Sequence, residues 1–88
     1  MKLKYNFVIR SVGDSYVAVA VGEDAAKFNG MIKLNTTGEV IFSMLQSGAK
    51  LNDIVEAVAS KFDVAASDVD ADVVDYIEKL KAAELIVE

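Results

Sequence analysis

The apolar period of this chain changes once, near residue 35, and that single change limits the folds open to it. Before it, short β-rich stretches alternate with turn residues. Phe7 to Val12 reads as a first strand and Tyr16 to Val21 as a second, with Val17, Val19 and Val21 on one face. Gly13-Asp14-Ser15 between them is a short glycine-containing hairpin loop. A longer loop, Gly22 to Asn29, leads into Gly30-Met31-Ile32-Lys33-Leu34. There Ile32 and Leu34 share one side and Met31 and Lys33 the other.

After residue 35 the period becomes helical. Thr36-Thr37-Gly38-Glu39 fits a capping box, with the Thr36 hydroxyl taking a first-turn amide and Glu39 reaching back. Val40, Ile41, Met44 and Leu45 follow as one apolar stripe, and Gly48 stops the helix. A second helix is expected from about Asn52 to Phe62, with Ile54, Val55, Val58 and Phe62 inward. Asp53 and Glu56 lie near its positive end and Lys61 near its negative end. Ser67-Asp68 opens a third, longer helix whose apolar face holds Val69, Val73, Tyr76, Ile77 and Leu80. On it Asp75 and Lys79 stand four residues apart in the favourable order. Leu85-Ile86-Val87 closes the chain as an extended tail. The expected class is α+β: a three-stranded antiparallel sheet followed by three helices, with the outline of a winged helix.

With 88 residues the chain is expected to form one domain spanning 1–88. Hydrophobic residues make up 53% of it, enough for a core without disulfides or metal and for order beyond the first few positions. No apolar run approaches the ~18 residues of a membrane span. The first residues lack the apolar segment and cleavage site of a signal peptide. The expected location is therefore cytoplasmic, with no membrane partner.

Histidine and cysteine are both absent, which removes the commonest general base, the best thiol nucleophile and the two main zinc ligands. Asp68, Asp70 and Asp72 alternate as in a calcium loop. Counting from Asp68, the sixth and twelfth positions hold Val73 and Lys79, where that loop needs Gly and Glu. Asp14-Ser15 has the residues of a carrier-protein attachment site but sits in a hairpin turn. The expectation is a non-enzyme without cofactor or metal. Residues 1–33 carry five basic and three acidic side chains, a balance of +2; residues 34–88 carry four and eleven, a balance of −7. A recognition helix for DNA would have to lie in that acidic half, so nucleic acid is not an expected partner.

Leu34-Asn35-Thr36-Thr37-Gly38-Glu39-Val40-Ile41 resembles the strand-to-helix junction of the PqqD family, the peptide chaperones of pyrroloquinoline quinone biosynthesis. The downstream spacing is similar too: Ile54-Val55 with Phe62, then Val69, Val73, Ile77, Leu80 and a closing Leu85-Ile86. The resemblance runs over about residues 6–88. It departs at Glu84, where family members often have glycine, and in the length of the loop after the second strand.

The resemblance implies a RiPP recognition element, a domain that binds the leader of a ribosomally made, post-translationally modified peptide. In that family the leader adds as a strand to the third strand's edge, in a cleft against the third helix. The domain works beside a modifying enzyme, commonly a radical SAM protein. Carried onto this chain, the edge is Met31, Ile32, Lys33 and Leu34, and the facing helix positions are Val69, Asp72, Val73, Tyr76 and Lys79. The residues alone support such a role through a short third strand whose edge is guarded only by Lys33. The readings kept beside it are a DNA-binding regulator and an assembly subunit pairing through the same edge. The protein is expected as a monomer or weak homodimer.

Overall fold

The computed structural model describes residues 1–28 and 30–87. Its elements run β1 (Lys2–Leu3), β2 (Phe7–Val12), β3 (Ser15–Ala20), α1 (Asp24–Lys27), β4 (Met31–Leu34), α2 (Thr36–Ser47), α3 (Leu51–Phe62), α4 (Ala66–Ala82) and β5 (Ile86–Val87). The expected three strands and three helices are β2, β3, β4, α2, α3 and α4. A helical turn and a second small sheet are added to them.

The main sheet has the antiparallel order β2-β3-β4. Its hairpin turn is Gly13-Asp14, and Gly13 has φ 60°. A positive φ at the first central residue is what a type II′ turn requires, and glycine adopts it without strain. Phe7, Ala18, Ala20 and Leu34 are buried on the inner face. Val17 and Val19 are only half-buried and Val21 is exposed, so the valines that share a face share the outer one. The inner face of β3 is alanine-lined because α2 packs directly on it.

The loop predicted from Gly22 to Asn29 contains α1, a correction of the sequence reading; Asn29 lies outside the described residues. The Asp24 carboxylate accepts the Asn6 amide at 2.8 Å, which ties this turn to the start of β2. Phe28 then stacks edge-on against Phe7, with ring centres 5.5 Å apart. The chain start is also ordered. β1 pairs antiparallel with β5, the Met1 ammonium donates to the Ala49 carbonyl at 2.9 Å, and Lys4 N–H donates to the Leu85 carbonyl at 2.8 Å.

Two helix starts and the burial of one residue differ from the prediction. The cap of α2 is Asn35, whose Oδ1 accepts the Gly38 amide at 2.8 Å, while Glu39 accepts from the Ser43 hydroxyl instead of reaching back. Asparagine competes well with threonine for this role because its amide oxygen reaches the first-turn amides. Helix α4 begins at Ala66, and Asp68 accepts the Ala65 amide at 3.2 Å. Phe62, predicted inward, is 43% exposed, because the chain leaves the helix there. At Asp63 the backbone turns left-handed, with φ 54°.

The end of α4 shows why glycine would suit position 84. Leu85 N–H donates to the Leu80 carbonyl at 3.0 Å and Glu84 N–H to the Lys81 carbonyl at 2.9 Å, the bonding of a Schellman motif. The residue at its hinge is left-handed, and Glu84 has φ 60°. A side chain there costs roughly 1–2 kcal/mol, and glycine returns part of that gain through its freer unfolded state. Glu84→Gly is therefore expected to raise stability by about 0.5–1 kcal/mol. The urea midpoint checks this, and a midpoint that falls would contradict it.

Candidate functional site

Hydrogen-bond alternation shows which backbone groups of the edge strands face outward. Val21 N–H donates to the Asn6 carbonyl at 3.0 Å, so Asn6 and Val21 form a bonded pair. Bonded and non-bonded pairs alternate along an antiparallel ladder. In the observed register, Val8–Val19, Arg10–Val17 and Val12–Ser15 are then the bonded pairs of β2 and β3. Tyr16 and Ala18 consequently turn their backbone groups toward β4, where they oppose Leu34 and Ile32. The amides and carbonyls of Met31 and Lys33 face away from the sheet. Among the described residues no backbone group bonds to them. The opposite edge is partly covered, since Gln46 donates to the Phe7 carbonyl at 2.6 Å. The edge of β4 is open along Met31 and Lys33, and on the β2 side Ile9 and Ser11 also face outward without a backbone partner among the described residues.

Beside the end of β4 lies a groove of about 250 Å³ lined by Asn35, Thr37, Val58, Val69, Asp72, Asp75 and Tyr76. Its walls come from three places. Asn35 and Thr37 stand at the start of α2, Val58 on α3, and the other four on α4. The groove thus lies between the first turn of α2 and α4, over Val58 of α3, and it begins at Asn35, the residue that follows β4.

Tyr76 forms the inner wall, and Gly38 makes its position possible. A Cβ at Gly38 would lie 2.9 Å from the Tyr76 hydroxyl oxygen and 3.3 Å from its Cζ. The ring therefore leans over the first turn of α2 in space that only glycine leaves open. Burial pushes the Tyr76 hydroxyl above its ordinary pKa. It stays protonated at neutral pH and can donate as well as accept.

The residues named from the sequence fall into three groups. Val69, Asp72 and Tyr76 line the groove. Ile32 is half-buried and Leu34 buried on the inner face, whereas Met31 and Lys33 project from the outer one. Val73 is fully buried in the core, and Lys79 lies outside the groove lining, with its Nζ 3.2 Å from Asp75 Oδ2. The stripe 69-72-76 thus lies next to the core stripe 73-77-80 on the same helix. Sequence reading missed Asn35, Thr37, Val58 and Asp75. Asn35 had a usable signal as an alternative cap directly before Thr36. Val58 had none, being indistinguishable from its core neighbours on α3.

No curated protein matches the sequence. Among solved structures the chain is similar to TbiB1 in complex with the TbiA(beta) leader peptide. That likeness has 25% sequence identity and a TM-score of 0.70, and covers 97% of this chain and 93% of that one. The family model described as "Coenzyme PQQ synthesis protein D (PqqD)" matches residues 15–86, from the start of β3 into β5. The chain belongs to the PqqD family.

Proposed function

We propose that this protein is a RiPP recognition element, a non-catalytic chaperone for the leader segment of a ribosomally made precursor peptide. The leader adds antiparallel or parallel to the open edge of β4 and lays alternate side chains toward α4. The observation that carries this reading is the open edge of Met31 and Lys33 next to the groove, in a fold shared with a leader-bound protein. Main-chain bonds along β4 supply affinity, and the groove supplies selection among side chains. Of the residues expected at the site, Val69, Asp72 and Tyr76 act through their side chains. Met31, Ile32, Lys33 and Leu34 act as a strand, Val73 supports the wall from within, and Lys79 holds Asp75.

The whole of residues 1–88 works as one binding unit in the cytoplasm, beside a modifying enzyme of the radical SAM kind. Its contribution is positional. Holding the leader raises the effective concentration of the following core peptide at the enzyme to the order of millimolar. No helix among the described residues is long and apolar enough to cross a membrane.

The test is isothermal titration with the leader of the short precursor encoded nearest to this gene. Tyr76→Ala removes the inner wall of the groove and is expected to weaken binding by about 2 kcal/mol, roughly thirtyfold. Glu56→Ala, on the exposed side of α3, is the control and leaves affinity unchanged. Native circular dichroism is established first for each variant. Equal affinity for wild type and both variants would move the peptide site away from this groove.

A further inference from the structure

Resting on the peptide-binding reading, the groove's own chemistry narrows the kind of peptide it takes: we infer that it selects a leader bearing a lysine or arginine at the position facing α4. Three features of the lining converge on such a side chain. Val58 and Val69 supply an apolar floor, Tyr76 an aromatic wall, and Asp72 and Asp75 two carboxylates. A basic side chain is an apolar stem with a cationic end, and it covers apolar surface while keeping that end among polar groups. An aromatic face within ~6 Å adds attraction for the cation.

The opposing charges are smaller. Lys79 offsets Asp75, from which it is separated by 3.2 Å, but Asp72 makes no ion pair among the described residues. The start of α2 contributes a partial positive charge of roughly half a unit. Its Gly38 amide is already taken by Asn35, and Glu39 stands in its first turn. Lys33, the nearest cation of β4, projects from the outer face and leaves the groove without a basic wall. The groove is thus net negative, within a segment of residues 34–88 that carries eleven acidic and four basic side chains.

The experiment pans a displayed library of random dodecapeptides on wild type, on the Asp72→Asn/Asp75→Asn double variant and on Lys33→Pro. Wild type is expected to enrich peptides with lysine or arginine at one fixed place relative to their apolar residues. The double variant should still enrich peptides, but without the basic preference. Replacing the selected lysine by norleucine should lower wild-type affinity about fivefold, the scale of an exposed ion pair, and the loss should shrink with added salt. The double variant should not distinguish the two peptides. Enrichment on wild type with no basic preference would overturn this selectivity and leave the peptide-binding reading standing. Enrichment on wild type that persists undiminished on a folded Lys33→Pro would instead remove β4 as the docking strand. No enrichment on any of the three would overturn both.

Discussion

Phe42→Ala is expected to remove about 3–5 kcal/mol of stability, the cost of deleting a large buried ring and leaving a cavity. Phe42 is 0% exposed on the inner side of α2. Its ring centre lies 5.2 Å from that of Phe7 in an edge-on arrangement. Phe7 in turn meets Phe28 beyond it, so one ring on α2 joins the helices to β2 and to the segment after α1. A chain of this length has a total stability of roughly 4–13 kcal/mol, so the loss is a large fraction of it. The midpoint of thermal unfolding should fall by roughly 15–30 °C. Phe62→Ala is the matched comparison, because that ring is 43% exposed and should cost under about 1 kcal/mol. Similar losses for the two variants, read from urea unfolding, would contradict the packing described.

The same two phenylalanines mark how far the sequence could be read. Periodicity placed Ile41 and Leu45 inward, and both are buried. Phe42 lies beside that stripe, outside its period. A helix covered by a sheet on one side and by α3 on another buries more than one stripe, and no single-chain period reveals that. Phe62 kept the period of α3 but sits at its last residue, where the left-handed turn at Asp63 carries the chain away. The Asp75–Lys79 pair was readable because it depends only on helical spacing.

Long-range pairing was not readable. β1 and β5 are two residues each and join the two ends of the chain, so neither has a pattern long enough to announce itself. The site divides in the same way. Val69, Asp72 and Tyr76 followed from a family resemblance laid over a helix face. Asn35, Thr37, Val58 and Asp75 reach the groove only through the packing of α2 and α3 against α4.

Lys33→Pro should abolish leader binding while leaving the fold in place, and the reason lies in the ladder register. The Lys33 amide points to the open edge, so proline there removes no bond between β3 and β4. Ile32 before it is already extended, the conformation that a following proline favours. An added peptide strand would lose its bond to that amide, and the ring would stand where its carbonyl must dock. A missing bond plus a buried, unpaired carbonyl amounts to about 2–4 kcal/mol, roughly thirtyfold to a thousandfold in affinity. Two companions separate backbone from side chain and edge from ladder. Lys33→Ala keeps the amide and should bind within about threefold of wild type, since an exposed lysine contributes little. Ile32→Pro removes a bond to Ala18 inside the sheet and should lower stability by about 3 kcal/mol, whatever it does to binding. Titration of the leader against natively folded Lys33→Pro gives the answer directly. Wild-type affinity in that variant would mean that the peptide does not join β4 as a strand, even if Tyr76 proved to be part of its site.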